Sequence, residues 1–254
     1  MSLTVATPYL VAFLLASLRA AAFLVVAPPF SSKAIPRLVK GLLSMAFALP
    51  VTSSLVVPGL GSDLAQMLGM ALEQILVGAA LGFLVLLAFA AIESAGNLID
   101  VFGGFTLASS FDPMMQSQNS VFGRLYQMLA VTLLFSLNLH VVVLAGFMRS
   151  FTAIPLTGHL SMASFSQIAT HGVTTLVVAA AQIAGPLIGV LFLADVGLAL
   201  MTRVSPSMNV FSLGFPIKMV ITLSLVGLTF PEVSKVLSEL VDSSAGIAAH
   251  LAGG

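Results

Sequence analysis

The residues of this chain that could do chemistry are ionisable groups set inside apolar stretches. Arg19 stands at the middle of the first apolar run, Glu73 in the first two turns of the third, and Asp195 about two turns from the end of the fifth. An ionised group at mid-bilayer costs about 2.5–3.5 kcal/mol on insertion scales, so each calls for a partner or a wet cavity. One reading is an ion or proton pathway. The other is structural, with Arg19 and Asp195 as an example of a pair, or with bonds to a neighbouring subunit. Arg203 and Lys218, in the loop near 202–218, join this set of buried or structural charges. A second group, Glu93, Asn97 and Asp100, falls on one helical face at i, i+4 and i+7. Three oxygen-bearing side chains hint at a cation, but a cation site needs more ligands. The alternative is a solvated or subunit-facing stripe at the membrane edge.

No catalytic set accompanies these residues. His140, His159, His171 and His250 are scattered, without HExxH or zinc spacing, and there is no GxSxG elbow or P-loop. Cys is absent, which removes disulfides and thiol chemistry. No enzyme activity, cofactor or metal is expected.

The elements that must position these groups follow from composition. Charged residues are 7% and hydrophobic residues 59% of 254, with mean hydropathy +1.13. A globule of this length cannot bury that much apolar surface, so a soluble enzyme is excluded and the chain needs an apolar solvent such as membrane lipid, or many partners, or both. Net charge zero removes the electrostatic case for nucleic acid. Charge-free runs predict six long helices, near 8–29, 41–60, 67–92, 125–148, 173–201 and 215–231, the last of them short. The first run has no basic residue ahead of it and is expected to stay as an anchor. Putting the basic-rich loops inside leaves both termini outside.

Between the runs, Gly103-Gly104 is expected to end a helix begun at Glu93. Residues 150–172 read as a loop with a short helix. Val233, Val236, Leu237, Leu240 and Val241 recur with helical period against Glu232, Lys235, Glu239 and Asp242, so about 232–250 is an amphipathic tail helix. Gly78-x-x-x-Gly82 and Gly185-x-x-x-Gly189 permit close helix approach, within the chain or between subunits. Pro186 is expected to kink or break its helix. The stretch Phe105 to Met115, within Thr106–Ser120 for its greater part, is apolar but has no helical register. At membrane depth such a segment must be buried in protein or line a cavity. It is either a gate or a re-entrant packing element. Its Phe111, Met114 and Met115 are bulky and soft, and Asp112-Pro113 makes a turn.

The ordered set of Glu73–Phe83, Ala108-Ser-Ser-Phe-Asp-Pro113, Asn138-Leu-His140 with Ser150–Pro155, and Gly197–Lys218 resembles the FliR family of flagellar export proteins, which has a homologous family in virulence type III secretion. The resemblance covers nearly the whole chain. Leu139 stands where that family usually has Gly. It implies an all-α, polytopic membrane protein of one domain over 1–254, its helices arranged as hairpins, with one kinked helix and a buried irregular loop. It implies a non-enzymatic pore subunit of a type III export gate, in the bacterial inner membrane and the flagellar basal body. Partners would be FliP-like and FliQ-like subunits, FlhB-like and FlhA-like components and unfolded flagellar proteins. The pore plug would be the segment carrying Phe105, Ser109, Ser110, Phe111, Asp112, Pro113, Met114 and Met115. The alternatives are the virulence homologue or a secondary transporter of a small solute using Arg19 and Asp195. A transporter of that kind should show paired broken helices, and only the Pro186 break is evident.

Overall fold

The structure is a computed structural model and describes residues 6–55, 64–106, 120–205 and 210–250. Among them there are helices and no strands. The helices are α1 (Ala6–Val26), α2 (Arg37–Thr52), α3 (Leu64–Gly103), α4 (Val121–Ser136), α5 (Leu139–Ala153), α6 (Met162–Val204), α7 (Val210–Leu225) and α8 (Phe230–His250), with a 3₁₀ turn at Val226–Thr229.

Local chemistry sets the ends. α1 stops before Pro28-Pro29, which cannot donate to a continuing helix. Pro36, with φ −57°, leads into α2. α3 ends at Gly103, and Gly104 takes φ +84°, a left-handed conformation open to glycine. Asn138, at φ 56°, separates α4 from α5; Asn is among the few side chains that tolerate this region.

Four helical stretches are long and apolar enough to span a membrane: Pro8–Val26, Leu64–Gly103, Met162–Val204 and Leu213–Ser244. The pair α4 and α5 makes a fifth if counted as one broken span. The helical class holds, and the details differ from expectation. The run at 41–60 yields only the 16-residue α2 within the described residues. The run at 125–148 is interrupted at Leu137-Asn138. α3 continues through Glu93, Asn97 and Asp100 instead of ending near 92, because helical hydrogen bonds are local and indifferent to which face is polar. α6 begins at Met162, so the expected loop over 150–172 shrinks to 154–161. It also runs unbroken through Pro186. Gly185 precedes that proline and has no Cβ for the pyrrolidine ring to strike.

The chain divides into two compact units. One takes Met1–Leu87, Leu137–Val173 and Leu240–Gly254; the other takes Ala88–Ser136 and Thr174–Glu239. In the first, α1 packs on α2, and Phe147 is the centre of an aromatic group. Its ring stacks on Phe23 at 4.6 Å and meets Phe151 and Phe47 edge-on at 5.4 and 6.3 Å. In the second, Ala179, Ala180, Ile183, Ala184, Leu187 and Leu191 are the buried face of α6. Val233, Val236 and Leu237 are the buried face of α8, while Lys235 and Glu239 are exposed. The expected amphipathic tail is therefore a helix that the chain covers itself. Apolar burial drives little between helices in lipid, so close packing and interhelical hydrogen bonds carry more of the fold.

Candidate functional site

Arg19 is wholly buried in the first unit. Its Nε donates to Gln74 Oε1 at 2.8 Å, Nη1 to the Ser150 carbonyl at 2.9 Å and Nη2 to the Ile154 carbonyl at 2.8 Å. The guanidinium also lies 4.5 Å from the centre of the Phe151 ring. Ser150 and Ile154 stand at the C-terminal end of α5, where the dipole is negative; the Ile154 carbonyl lies past the last helical turn, and the Ser150 carbonyl also accepts the Ile154 N–H. The cation is thus held by a helix end and a ring face. Gln74 completes the joint by donating Nε2 to the Leu156 carbonyl at 3.1 Å. Glu73, next along α3, accepts the backbone N–H of Leu160, and His159 Nδ1 lies 4.0 Å from its other oxygen. Arg19, Gln74 and Glu73 therefore fasten 150–160 to α1 and α3.

Gly78 and Gly82 lie in the same unit and explain how α1 and α3 come so close. A Cβ on Gly78 would strike the Arg19 carbonyl and lie 3.0 Å from Ala22 Cβ. One on Gly82 would lie 2.9 Å from Val26 Cβ and 3.1 Å from the Phe23 carbonyl. This seam is within the chain. Gly185 and Gly189 have nothing within 4 Å of a built Cβ, so the side of α6 that carries them is open among the described residues, while Ile183, Ala184 and Leu187 on its other side are buried.

Asp195 is in the second unit and pairs with Lys218, not Arg19: Lys218 Nζ donates to Asp195 Oδ2 at 3.0 Å. Asp195 is half-exposed, and Arg203 is exposed in the last turn of α6, where a cation favours the helix dipole. Neither is a buried charge in the single chain. With one partner open to its surroundings, the pair is expected to be weak. A double-mutant cycle of Asp195→Asn and Lys218→Met, read as thermal stability in detergent, should give a coupling of about 0–1 kcal/mol. A coupling several times larger would show that the pair is dry.

The second unit also holds the two ends of the irregular segment. Asp100 is buried at the end of α3 and accepts hydrogen bonds from the Ser120 hydroxyl and the Phe122 backbone N–H. Phe105 meets Phe122 edge-on at 5.1 Å. The rest of that segment, including Ser109, Ser110, Phe111, Asp112, Pro113, Met114 and Met115, lies outside the described residues. Glu93 and Asn97 are exposed while Asp100 is buried, so the three side chains do not share one environment. No group of three or more His, Asp or Glu is placed to hold a metal among the described residues.

Sequence reasoning missed Gln74 and Ser150 as site residues, and missed the partner of Asp100. Ser150 and Gln74 did sit inside the quoted motifs. Nothing in the spacing alone showed that a buried cation would be met by carbonyls and an amide.

Fold and site together define a helical integral membrane protein whose buried polar groups tie helix ends together. Residues 10–244 match the family described as bacterial export proteins, family 1. The chain belongs to that family. It is 30% identical over 215 residues to the flagellar biosynthetic protein FliR of Escherichia coli strain K12, covering 84% of this chain and 82% of that one. It is 30% identical over 217 residues to FliR of Bacillus subtilis strain 168, covering 83% of each. It is also 33% identical over 148 residues to Yop proteins translocation protein T of Yersinia pestis, covering 58% of this chain and 57% of that one.

Proposed function

We propose that this chain is a non-enzymatic, pore-forming subunit of the flagellar type III export gate. It assembles with FliP-like and FliQ-like subunits in the bacterial inner membrane, within the flagellar basal body. FlhB-like and FlhA-like components stand beside it, and unfolded flagellar proteins pass through the assembly. The observation that carries this reading is likeness to flagellar proteins over more than four fifths of both chains. The virulence reading rests on the shorter match to the Yersinia translocation protein. Deleting the gene should abolish swimming and secretion of hook and filament proteins, and tagged protein should co-elute with FliP-like and FliQ-like subunits. A swimming deletion strain with impaired virulence secretion would move the assignment to the virulence system.

In this reading Thr106–Ser120 carries the plug. Phe111, Met114 and Met115 are soft apolar groups that can close a narrow channel by packing and yield to a passing chain without breaking strong bonds. Shortening this segment, or changing those three residues to Ala or Gly, should leave subunit co-purification intact and raise ion leak in cells making the gate. A normally assembled gate with a shortened segment and a tight membrane would leave the segment a packing role only.

A further inference from the structure

The turn between α1 and α2 gathers cations and meets no acid. Lys33 stands on it, and Arg37 and Lys40 follow in the first turn of α2. No acidic residue precedes Asp63 in the chain, and the ion pairs among the described residues involve none of these cations. Arg19, the other cation of this stretch, is bonded to carbonyls and an amide. The turn is ordered by its own hydrogen bonds. The Ser31 N–H meets the Ala27 carbonyl at 2.9 Å, the Ser32 N–H the Pro29 carbonyl at 3.1 Å and the Ile35 N–H the Ser32 carbonyl at 3.2 Å. Lys33, Arg37 and Lys40 are therefore held together at one end of the α1–α2 pair.

Beside them runs an apolar surface. α2 buries Ser44 and Ala48 and leaves Leu38, Leu42 and Leu49 exposed, at i, i+4 and i+11. α1 leaves Leu10, Leu14 and Leu18 exposed, at i, i+4 and i+8. Each set lies along one face of its helix. Tyr9, also exposed, stands at the other end of α1. From Tyr9 to Val26 the helix rises about 26 Å, close to the roughly 30 Å of bilayer hydrocarbon. A Tyr at one end, cations at the other and leucines between them is the order of a surface that faces lipid. An acidic protein surface would answer the cations but not the leucines. A leaflet of acidic phospholipid answers both, with phosphates level with the turn and acyl chains along the stripes.

We propose that the α1–α2 pair faces lipid and that Lys33, Arg37 and Lys40 form a binding site for the phosphate groups of anionic phospholipids. Such a site needs only a chain in a bilayer and does not depend on the export-gate reading. The long stems of the three side chains lie along apolar surface while their charges reach head-group depth. Arg37 brings a planar fork that can take two phosphate oxygens, and the lysines act as point charges. The site favours lipids with net negative charge, because a zwitterionic head group carries its own cation.

The test uses the absence of native Trp. Leu42→Trp, at a position 59% exposed, gives a single reporter beside Lys40. The full chain is reconstituted with phosphatidylglycerol and phosphatidylcholine, one of them brominated on its acyl chains, and Trp quenching reads the relative affinity of the two lipids there. A cation near an anionic surface strengthens binding about 5-fold, so phosphatidylglycerol should be preferred about 5- to 100-fold. The preference should shrink at high salt. Lys33→Gln, Arg37→Gln and Lys40→Gln together should bring the two lipids level, and each alone should remove part of the difference. Leu49→Trp is the second reporter if Leu42→Trp does not fold. Equal quenching by both lipids in the parent would overturn the site. A preference that survives the triple change would overturn its assignment to these cations. A photoreactive phenylalanine analogue in place of Leu42, in cells making the full chain, separates lipid from protein. No protein adduct is expected, and a discrete one would overturn the lipid-facing surface.

Discussion

Replacing Arg19 with Ala is expected to destabilise the chain by about 3–5 kcal/mol, as a lower midpoint of thermal aggregation in detergent and a several-fold loss of protein in the membrane. The guanidinium feeds Gln74, Ser150 and Ile154 from three nitrogens. Removing it orphans acceptors in a place water does not reach, at about 1–3 kcal/mol each, with a cavity beside Phe151 added. The Ser150 carbonyl loses least, since it also accepts the Ile154 N–H at 2.9 Å. Arg19→Lys keeps the charge but not the flat fork that reaches separate acceptors, so it should recover only part of the loss. Asp195→Asn should leave the Arg19 contribution untouched, because Asp195 is bonded to Lys218. Coupling between Arg19 and Asp195 in a double-mutant cycle would contradict this arrangement.

The second large effect separates two glycine pairs that look alike in sequence. Gly78→Leu is expected to cost at least about 3 kcal/mol, because its Cβ meets the α1 backbone at the Arg19 carbonyl and rigid backbone cannot repack as a side chain can. Gly185→Leu and Gly189→Leu should stay within about 0.5 kcal/mol of the parent in the isolated chain, where nothing stands within 4 Å. The measurement is the melting midpoint of purified single chain, followed by recovery of gate complex from cells. If Gly185→Leu or Gly189→Leu leaves the midpoint alone yet lowers complex recovery, that face of α6 meets another subunit. If it leaves both alone, the face meets lipid. A normal midpoint in Gly78→Leu would mean that α1 and α3 are further apart than described.

Helices and their stops were legible where the chemistry is local. Gly103-Gly104 ends α3 as its pattern required, and the apolar stripe of α8 faces inward as its period required. What escaped was set by distant parts of the chain. Charge counting offered Arg19 an acid as partner, whereas the fold gives it carbonyls at a helix end, which every sequence has and none displays. The polar stripe Glu93-Asn97-Asp100 was read as one face, yet only Asp100 is buried, because α4 returns to cover that one position. The break at Asn138 hid inside a continuous apolar run, since hydropathy averages over the one residue whose backbone turns. Pro186 suggested a kink or a break, and the helix continues past it.

The 40 residues of α3 and 43 of α6 rise about 60 and 65 Å, while the hydrocarbon of a bilayer is about 30 Å thick. To fit by leaning, each would need a tilt near 60°, beyond the roughly 0–40° that membrane helices adopt. The first turns of α6 carry Ser164, Ser166, Gln167, Thr170 and His171 and suit water, whereas this chain covers only 33% of the most apolar window of that helix. Acyl chains can therefore solvate one half of such a helix at most. What lies beyond the hydrocarbon must then be polar, as at the start of α6, or covered by protein, as this chain covers 67% of the apolar window of α3. Hydrophobic mismatch favours burying any apolar surplus in an assembly taller than the membrane.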